Sequence, residues 1–302
     1  VGVAGALLGR ALGLPLIGSY HTELSAYTRV RSGDERLAGA MEATVGMFYG
    51  ACDVVLSPGP ASDEALRELG VAGERIMRWD RGVDGERFGP PAAASGGARL
   101  APCGEAPGGS VELGEKAIVV LYAGRITREK GADLLAEAFL AAHEREPRLH
   151  LVLAGGGPER EGLAERLGER ATFLGWLSGA ELPRAYAAAD MFLFPSETDT
   201  FGQVILEAQA SGLPVIAVAK GGPVSLIEDR VSGLLCEAQP QALADAVLEL
   251  ASSPLLCERL ASAGLAATAG RTWEAALARL AEGYSRALTG AGTQAERETR
   301  AA

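Results

Sequence analysis

Short, uninterrupted apolar runs alternate with stretches of helical periodicity along nearly the whole chain. In the first part, residues 14–19 and 53–56 read as strands, with a weaker one at 75–79. Helical patterns cover 3–12, 34–50 and 60–69. Residues 89–115 then lose apolar periodicity and fill with Pro, Gly and Ala, the composition of a linker or a solvated insertion. From residue 116 the alternation becomes regular. Strands are predicted at 118–123, 149–154, 172–174, 191–194 and 214–218. Helices are predicted at 131–143, after Pro158, and at 181–189, 203–210, 240–251, 254–267 and 273–288.

Continuous apolar strands separated by helices predict parallel sheets covered on both faces. The fold class is therefore α/β, with two doubly wound units. The organisation expected is a partial N-terminal domain over 1–88, a linker over 89–115 and a second domain over 116–272. A closing helix over 273–290 that crosses back to the first domain and a frayed polar tail over 291–302 complete it. The chain opens at Val1 directly in a helical pattern, which reads as a fragment whose first strands are missing.

Composition narrows the function. With 302 residues and 48% hydrophobic content, each of two domains can bury a core without disulfides. The four cysteines form no Cys-x-x-Cys pair, and with three histidines no metal cluster stands out. A reduced, cytoplasmic compartment is the simplest reading. A net charge of −11 with no basic stripe argues against nucleic acid. No apolar run reaches the length of a membrane span.

Ligands of doubly wound sheets bind beyond the carboxyl ends of the strands, so the segments after each strand are where chemistry is expected. Phe201-Gly202-Gln203-Val204 stands where the strand 191–194 hands over to a helix, whose first N–H groups and dipole favour phosphate or sugar oxygens. Asp199 lies just before that helix. Glu207 lies one turn inside it, on the same face as Gln203. Two carboxylates there can hold the hydroxyls of a sugar or a ribose. Equally, Asp199 can simply cap the helix while Glu207 faces solvent. Gly124-Arg125 through Lys130-Gly131 follows the strand 118–123. Arg125 and Lys130 can converge on a diphosphate, while Glu129 can serve as a structural partner to either cation.

These residues resemble the retaining glycosyltransferases of the GT-B type, family four (glycosyl transferases group 1). The resemblance is carried, in order, by Gly124-Arg125 with Glu129-Lys130-Gly131, Gly156-Gly157-Pro158, Phe194-Pro195-Ser196, the segment 197–207, residues 210–215, Gly221-Gly222 and Gly233-Leu234-Leu235. Arg81-Gly82-Val83-Asp84 with Phe88 is similar to the family's segment before the interdomain linker. The stretch 18–23, with His21, resembles the branch of lipid mannosyltransferases and sulfoquinovosyl diacylglycerol synthases.

The resemblance implies two Rossmann-like domains with the active site in the cleft between them. It also implies transfer of a hexosyl group, with retention and without a metal or other cofactor, from a GDP- or UDP-sugar to an acceptor hydroxyl. The acceptor would be a lipid or glycan, with peripheral contact at the inner face of the membrane. Arg125 and Lys130 would bind and stabilise the leaving diphosphate, Glu207 the ribose, and Asp199 the sugar hydroxyls with help from Phe201, Gly202 and Gln203. Gly124, Glu197 and Val204 would line the donor site, the base would lie near Leu177, and His21 would face the reacting sugar. By itself, a lone histidine after a strand reads as structural.

The departures from the family pattern are specific. Asp199 stands where a longer glutamate is usual, Thr200 where Gly is common, and Gly156 where Asp is frequent. Pro223-Val224-Ser225 lacks an acid often found there. Glu197 is placed to substitute for the missing glutamate. The family's first strand and glycine-rich acceptor loop would precede Val1. The rival readings are an epimerase or phosphorylase of similar architecture, and a degenerate subunit that only binds nucleotide. A nicotinamide dehydrogenase is disfavoured, because no Gly-x-Gly-x-x-Gly opens a helix after a strand.

Overall fold

The computed structural model describes residues 2–90 and 117–301, with side chains through residue 289. The linker expected over 89–115 falls, from residue 91 onward, outside the described residues. The chain divides into two compact units, Val1–Gly82 with Trp273–Ala302, and Val83–Thr272.

The first unit begins with α1 (Gly2–Ala11), β1 (Ile17–Ser19), α2 (Leu24–Ser32), α3 (Glu35–Gly50), β2 (Val54–Ser57), α4 (Pro60–Glu68) and β3 (Ile76–Arg78). The three strands pair in parallel in the order β1-β2-β3. Asp34 starts α3 by accepting the amide hydrogens of Arg36 and Leu37. Pro60 opens α4, where its missing N–H costs nothing. Helix α2 escapes the periodicity reading because it carries no buried residue and so has no apolar stripe to detect.

The second unit runs β4 (Ile118–Ala123), α5 (Ala132–Arg145), β5 (Leu149–Ala154), α6 (Arg160–Leu167), β6 (Ala171–Gly175), α7 (Glu181–Ala187), β7 (Met191–Phe194), α8 (Gln203–Ala210), β8 (Val215–Val218), β9 (Leu234–Cys236), α9 (Pro240–Ser252) and α10 (Pro254–Thr268). All six strands are parallel, in the order β6-β5-β4-β7-β8-β9. Their continuous apolar sequence is explained by two cores. Val120, Leu151, Leu193 and Ile216 face α5, α9 and α10. Leu121, Val152, Phe192 and Val215 face α7 and α8. Fully burying each such side chain is worth about 1.5–3 kcal/mol.

One boundary differs from expectation. Val83 and Phe88, assigned from sequence to the first domain, are buried in the second unit's core. The Phe88 ring meets Tyr186 edge-on at 5.6 Å, and the Val83 N–H donates to the Arg271 carbonyl at 2.8 Å. The burial of these two apolar side chains sets the division at Gly82 rather than after Phe88.

Helix α11 (Trp273–Ala301) closes the chain and belongs to the first unit, where it packs on β2 and β3. Its helical backbone continues beyond residue 290, into the stretch expected to be frayed. Among the described residues no helix is long and apolar enough to cross a membrane.

Candidate functional site

The strand order of the second unit places a topological switch point between β4 and β7, where connections leave in opposite directions and open a crevice beyond the strand ends. The site residues predicted within 116–272 lie on the loops after the strands and on α8, with Glu207 one turn inside that helix. Close approach of backbones builds the crevice. The Gly124 N–H donates to the Ala154 carbonyl at 2.9 Å, and the Ile126 N–H to Gly156 at 2.9 Å. At Gly155, φ is +134°, and a Cβ would stand 1.9 Å from the Gly124 carbonyl oxygen, so only glycine fits.

Two contacts stitch the β4 loop to the β7 loop across the switch point. The Thr198 hydroxyl, buried, donates to the Glu129 carbonyl at 2.6 Å. The Lys130 ammonium meets Asp199 Oδ2 at 2.5 Å, with the two side chains only 15% and 20% exposed. Lys130 ends a short 3-10 turn, Arg128–Lys130, ahead of α5.

The other oxygen of Asp199 accepts the amide hydrogens of Phe201 at 3.0 Å and Gly202 at 2.8 Å. Burial pushes this carboxyl up. The Lys130 charge and hydrogen bond, with the two amides, outweigh it and hold the group below its ordinary value. Asp199 thus caps the turn before α8 and pairs with Lys130. Its short side chain suits this, because a carboxylate one bond from Cβ reaches amides two and three residues on. The Phe201 and Gly202 amides, expected to face ligand, serve Asp199 here. Gly202 stands at φ +90° at the cap position, a left-handed backbone that glycine adopts without strain.

Glu207 is half-buried, and its Oε2 accepts the Tyr186 hydroxyl at 3.0 Å. Burial raises its carboxyl above the ordinary value, opposed by Tyr186, the nearby Arg87 charge and a hydrogen bond from the Gln203 side chain. It is not the solvated acid of the blander reading. Val204, also half-buried, directs its carbonyl toward Tyr186 at 3.4 Å.

Arg125 projects with its guanidinium half exposed. It lies 3.9 Å from Glu129, whose side chain is buried, so Glu129 is a structural partner of Arg125. Glu197 pairs with Lys220 at 3.4 Å, with both largely exposed. Such a pair contributes about 1 kcal/mol at most. Leu177 is half-buried just after β6, against the α7–α8 side of the core. Trp176 beside it is exposed and lies over Gly156, where a Cβ would meet the indole nitrogen at 2.7 Å.

His21 lies in the first unit. Its Nε2 is 2.7 Å from the Ser19 hydroxyl and its Nδ1 3.4 Å from Arg81, and its ring stands edge-on to Trp79. Burial first, and then the Arg81 charge, lower the basicity of the imidazole. Thr198, Tyr186 and Arg87 escaped the sequence reading. A tyrosine at a core position of α7 was the one visible signal, since a buried hydroxyl needs a partner. Among the described residues no group of three His, Cys, Asp or Glu side chains is placed to hold a metal.

A family model described as "Glycosyl transferases group 1" matches residues 109–266, and one described as "Glycosyltransferase Family 4" matches residues 1–87. The chain is 32% identical to a GDP-mannose-dependent alpha-mannosyltransferase of Corynebacterium glutamicum, over 94% of this chain and 65% of that protein. It is 34% identical to sulfoquinovosyl transferase SQD2 of Arabidopsis thaliana, over 76% of this chain and 43% of that one. It thus spans less than two thirds of the length of each of these relatives. Among solved structures, sucrose-phosphate synthase from Thermosynechococcus elongatus superposes with a TM-score of 0.77 at 26% identity, covering 96% of this chain and 72% of that one. The fold is accordingly of the GT-B type. With its ordered motifs, its six-stranded parallel unit and a family match over more than half its length, the chain belongs to the glycosyl transferases group 1 family.

Proposed function

We propose that the second unit binds a nucleoside diphosphate sugar and that the protein transfers the hexosyl group to an acceptor hydroxyl with retention. The observation that carries this reading is the Lys130–Asp199 contact, which joins the β4 and β7 loops at the switch point, with Glu207 one helical turn beyond. Arg125 and Lys130 would meet the charge that develops on the departing diphosphate, a role worth several kcal/mol in a site that excludes water. The leaving phosphate would assist removal of the acceptor proton. In this reading no metal is needed, and turnover should survive chelation. Glu207 would take the ribose, and Glu197 and Asp199 would lie nearest the transferred sugar. The role of His21 rests on the family resemblance. The GDP-mannose-dependent relative supports a GDP-hexose as donor; a UDP-hexose donor, and a lipid acceptor reached by peripheral membrane contact from the cytoplasm, rest on the family resemblance alone.

Calorimetric titration of the 302-residue chain with UDP-, GDP- and ADP-hexoses tests the first step, and at least one should bind saturably. With the matching donor and an acceptor alcohol, Arg125→Ala should lower turnover about 10²-fold, by analogy with other lost oxyanion donors. Absence of binding by all three, or near-normal turnover of the variant, would refute the reading. Donor conversion without any acceptor would point to an epimerase instead.

A further inference from the structure

Tyr186 is fully buried, yet it ends in a polar group. Its ring packs on Phe88 and Phe192, both with centroids at 5.6 Å, and a phenylalanine would satisfy those contacts equally. What the hydroxyl adds is directed at α8. It donates to Glu207 Oε2 at 3.0 Å and lies 3.4 Å from the Val204 carbonyl. A hydroxyl buried among apolar rings is costly unless it is paired, and its main partner here is a half-buried carboxylate at the crevice. Burial, and then the Glu207 charge, hold the phenol's pKa well above its ordinary value, so it remains a donor at any working pH. Oε2 is held from the core side by the Tyr186 hydroxyl, and the Gln203 side chain bonds the same carboxylate.

We propose that Tyr186 is a positioning residue that sets ribose selectivity: by fixing the Glu207 carboxylate it makes the donor site discriminate a ribonucleotide from one lacking ribose hydroxyls. This rests on the donor-site reading above. The physical basis is pre-organisation. A carboxylate already oriented loses little freedom when it accepts sugar hydroxyls, whereas a rotating one must be ordered at the expense of affinity. Tyr186 itself touches no ligand in this role.

The test is calorimetric, on the full chain, with UDP and GDP and with their 2′,3′-dideoxy counterparts. The wild-type protein should bind the better ribonucleotide at least about tenfold more tightly than its dideoxy analogue, the range expected when a polar site loses its partner. Tyr186→Phe should shrink that ratio to about threefold or less, with dideoxy affinity changed by no more than about twofold. Glu207→Gln should also collapse the ratio, and adding Tyr186→Phe to it should shift the ratio no further. A thermal melt of Tyr186→Phe, showing it folded at the titration temperature, keeps the test decisive, since only then does equal weakening of ribo and dideoxy ligands report the site and not a loss of structure. An unchanged ratio in Tyr186→Phe, or equal weakening of both ligands, overturns the inference while leaving the donor site intact. Failure of the wild-type chain to bind either ribonucleotide overturns the donor-site reading and this inference with it.

Discussion

Breaking the Lys130–Asp199 contact from either side should reveal a coupling of about 2 kcal/mol. At 2.5 Å the Coulomb attraction is about 1.7 kcal/mol in water and about 7 kcal/mol at an effective dielectric of 20. With side chains 15% and 20% exposed, the pair lies between these limits, and desolvation offsets much of the gain. Lys130→Met leaves Asp199 charged with only the Phe201 and Gly202 amides. We expect a loss of about 3 kcal/mol, the low end for an orphaned buried charge. Asp199→Asn should cost about 2 kcal/mol, because asparagine caps as well as aspartate and the lysine stem can turn its ammonium outward. The double variant should fall near 3 kcal/mol, well short of the sum of the singles. For a unit of this size, 3 kcal/mol corresponds to roughly 6–12 °C in Tm. Urea unfolding by circular dichroism gives the free energies, and hydrogen exchange at the Phe201 and Gly202 amides localises them. Additive losses, with coupling under about 0.5 kcal/mol, would show that the contact is incidental and does not join the two loops.

Three further outcomes follow from the same geometry. Gly155→Ala should destabilise the second unit by at least about 3 kcal/mol, because its Cβ would stand 1.9 Å from a backbone oxygen at a φ of +134°; a Tm within 2–3 °C of wild type, read by calorimetry, would contradict this. Asp199 has a lowered native pKa, so the stability it contributes is complete above the ordinary aspartate pKa and drains away as pH falls through the lower native value. Lys130→Met removes the main opposing charge, so the acid limb of Tm against pH should move to higher pH, and an unmoved limb would count against the assignment. Arg81→Gln should raise the His21 pKa only part of the way to its ordinary value, since burial is the larger cause; an NMR titration of the imidazole reads it, and full recovery would make Arg81 the main cause.

Much of this was legible one residue at a time. Strands β4, β7 and β8 announce themselves as continuous apolar runs, and β5 as one broken only by His150, because both faces of a parallel sheet are covered. The site motifs could be sought just past them because ligands gather at strand ends. What failed was weak local signal. Helix α2 buries no residue, and β9 spans three. Val83 and Phe88 look like part of the preceding domain until their packing on the other unit's core is seen.

The sequence by itself determined the alternation of elements, the fold class, and the residue types able to hold a diphosphate and sugar hydroxyls. Periodicity and side-chain chemistry are local properties that survive reading along a line. Only the tertiary structure decided that β4 lies beside β7, bringing Lys130 to Asp199 across 69 positions. It alone showed that Asp199 spends its two oxygens on that lysine and on its own helix start, and that Tyr186 holds Glu207 from within the core. Strand order and side-chain partnership are set by packing between segments far apart in the chain, and no window of neighbouring residues contains that information.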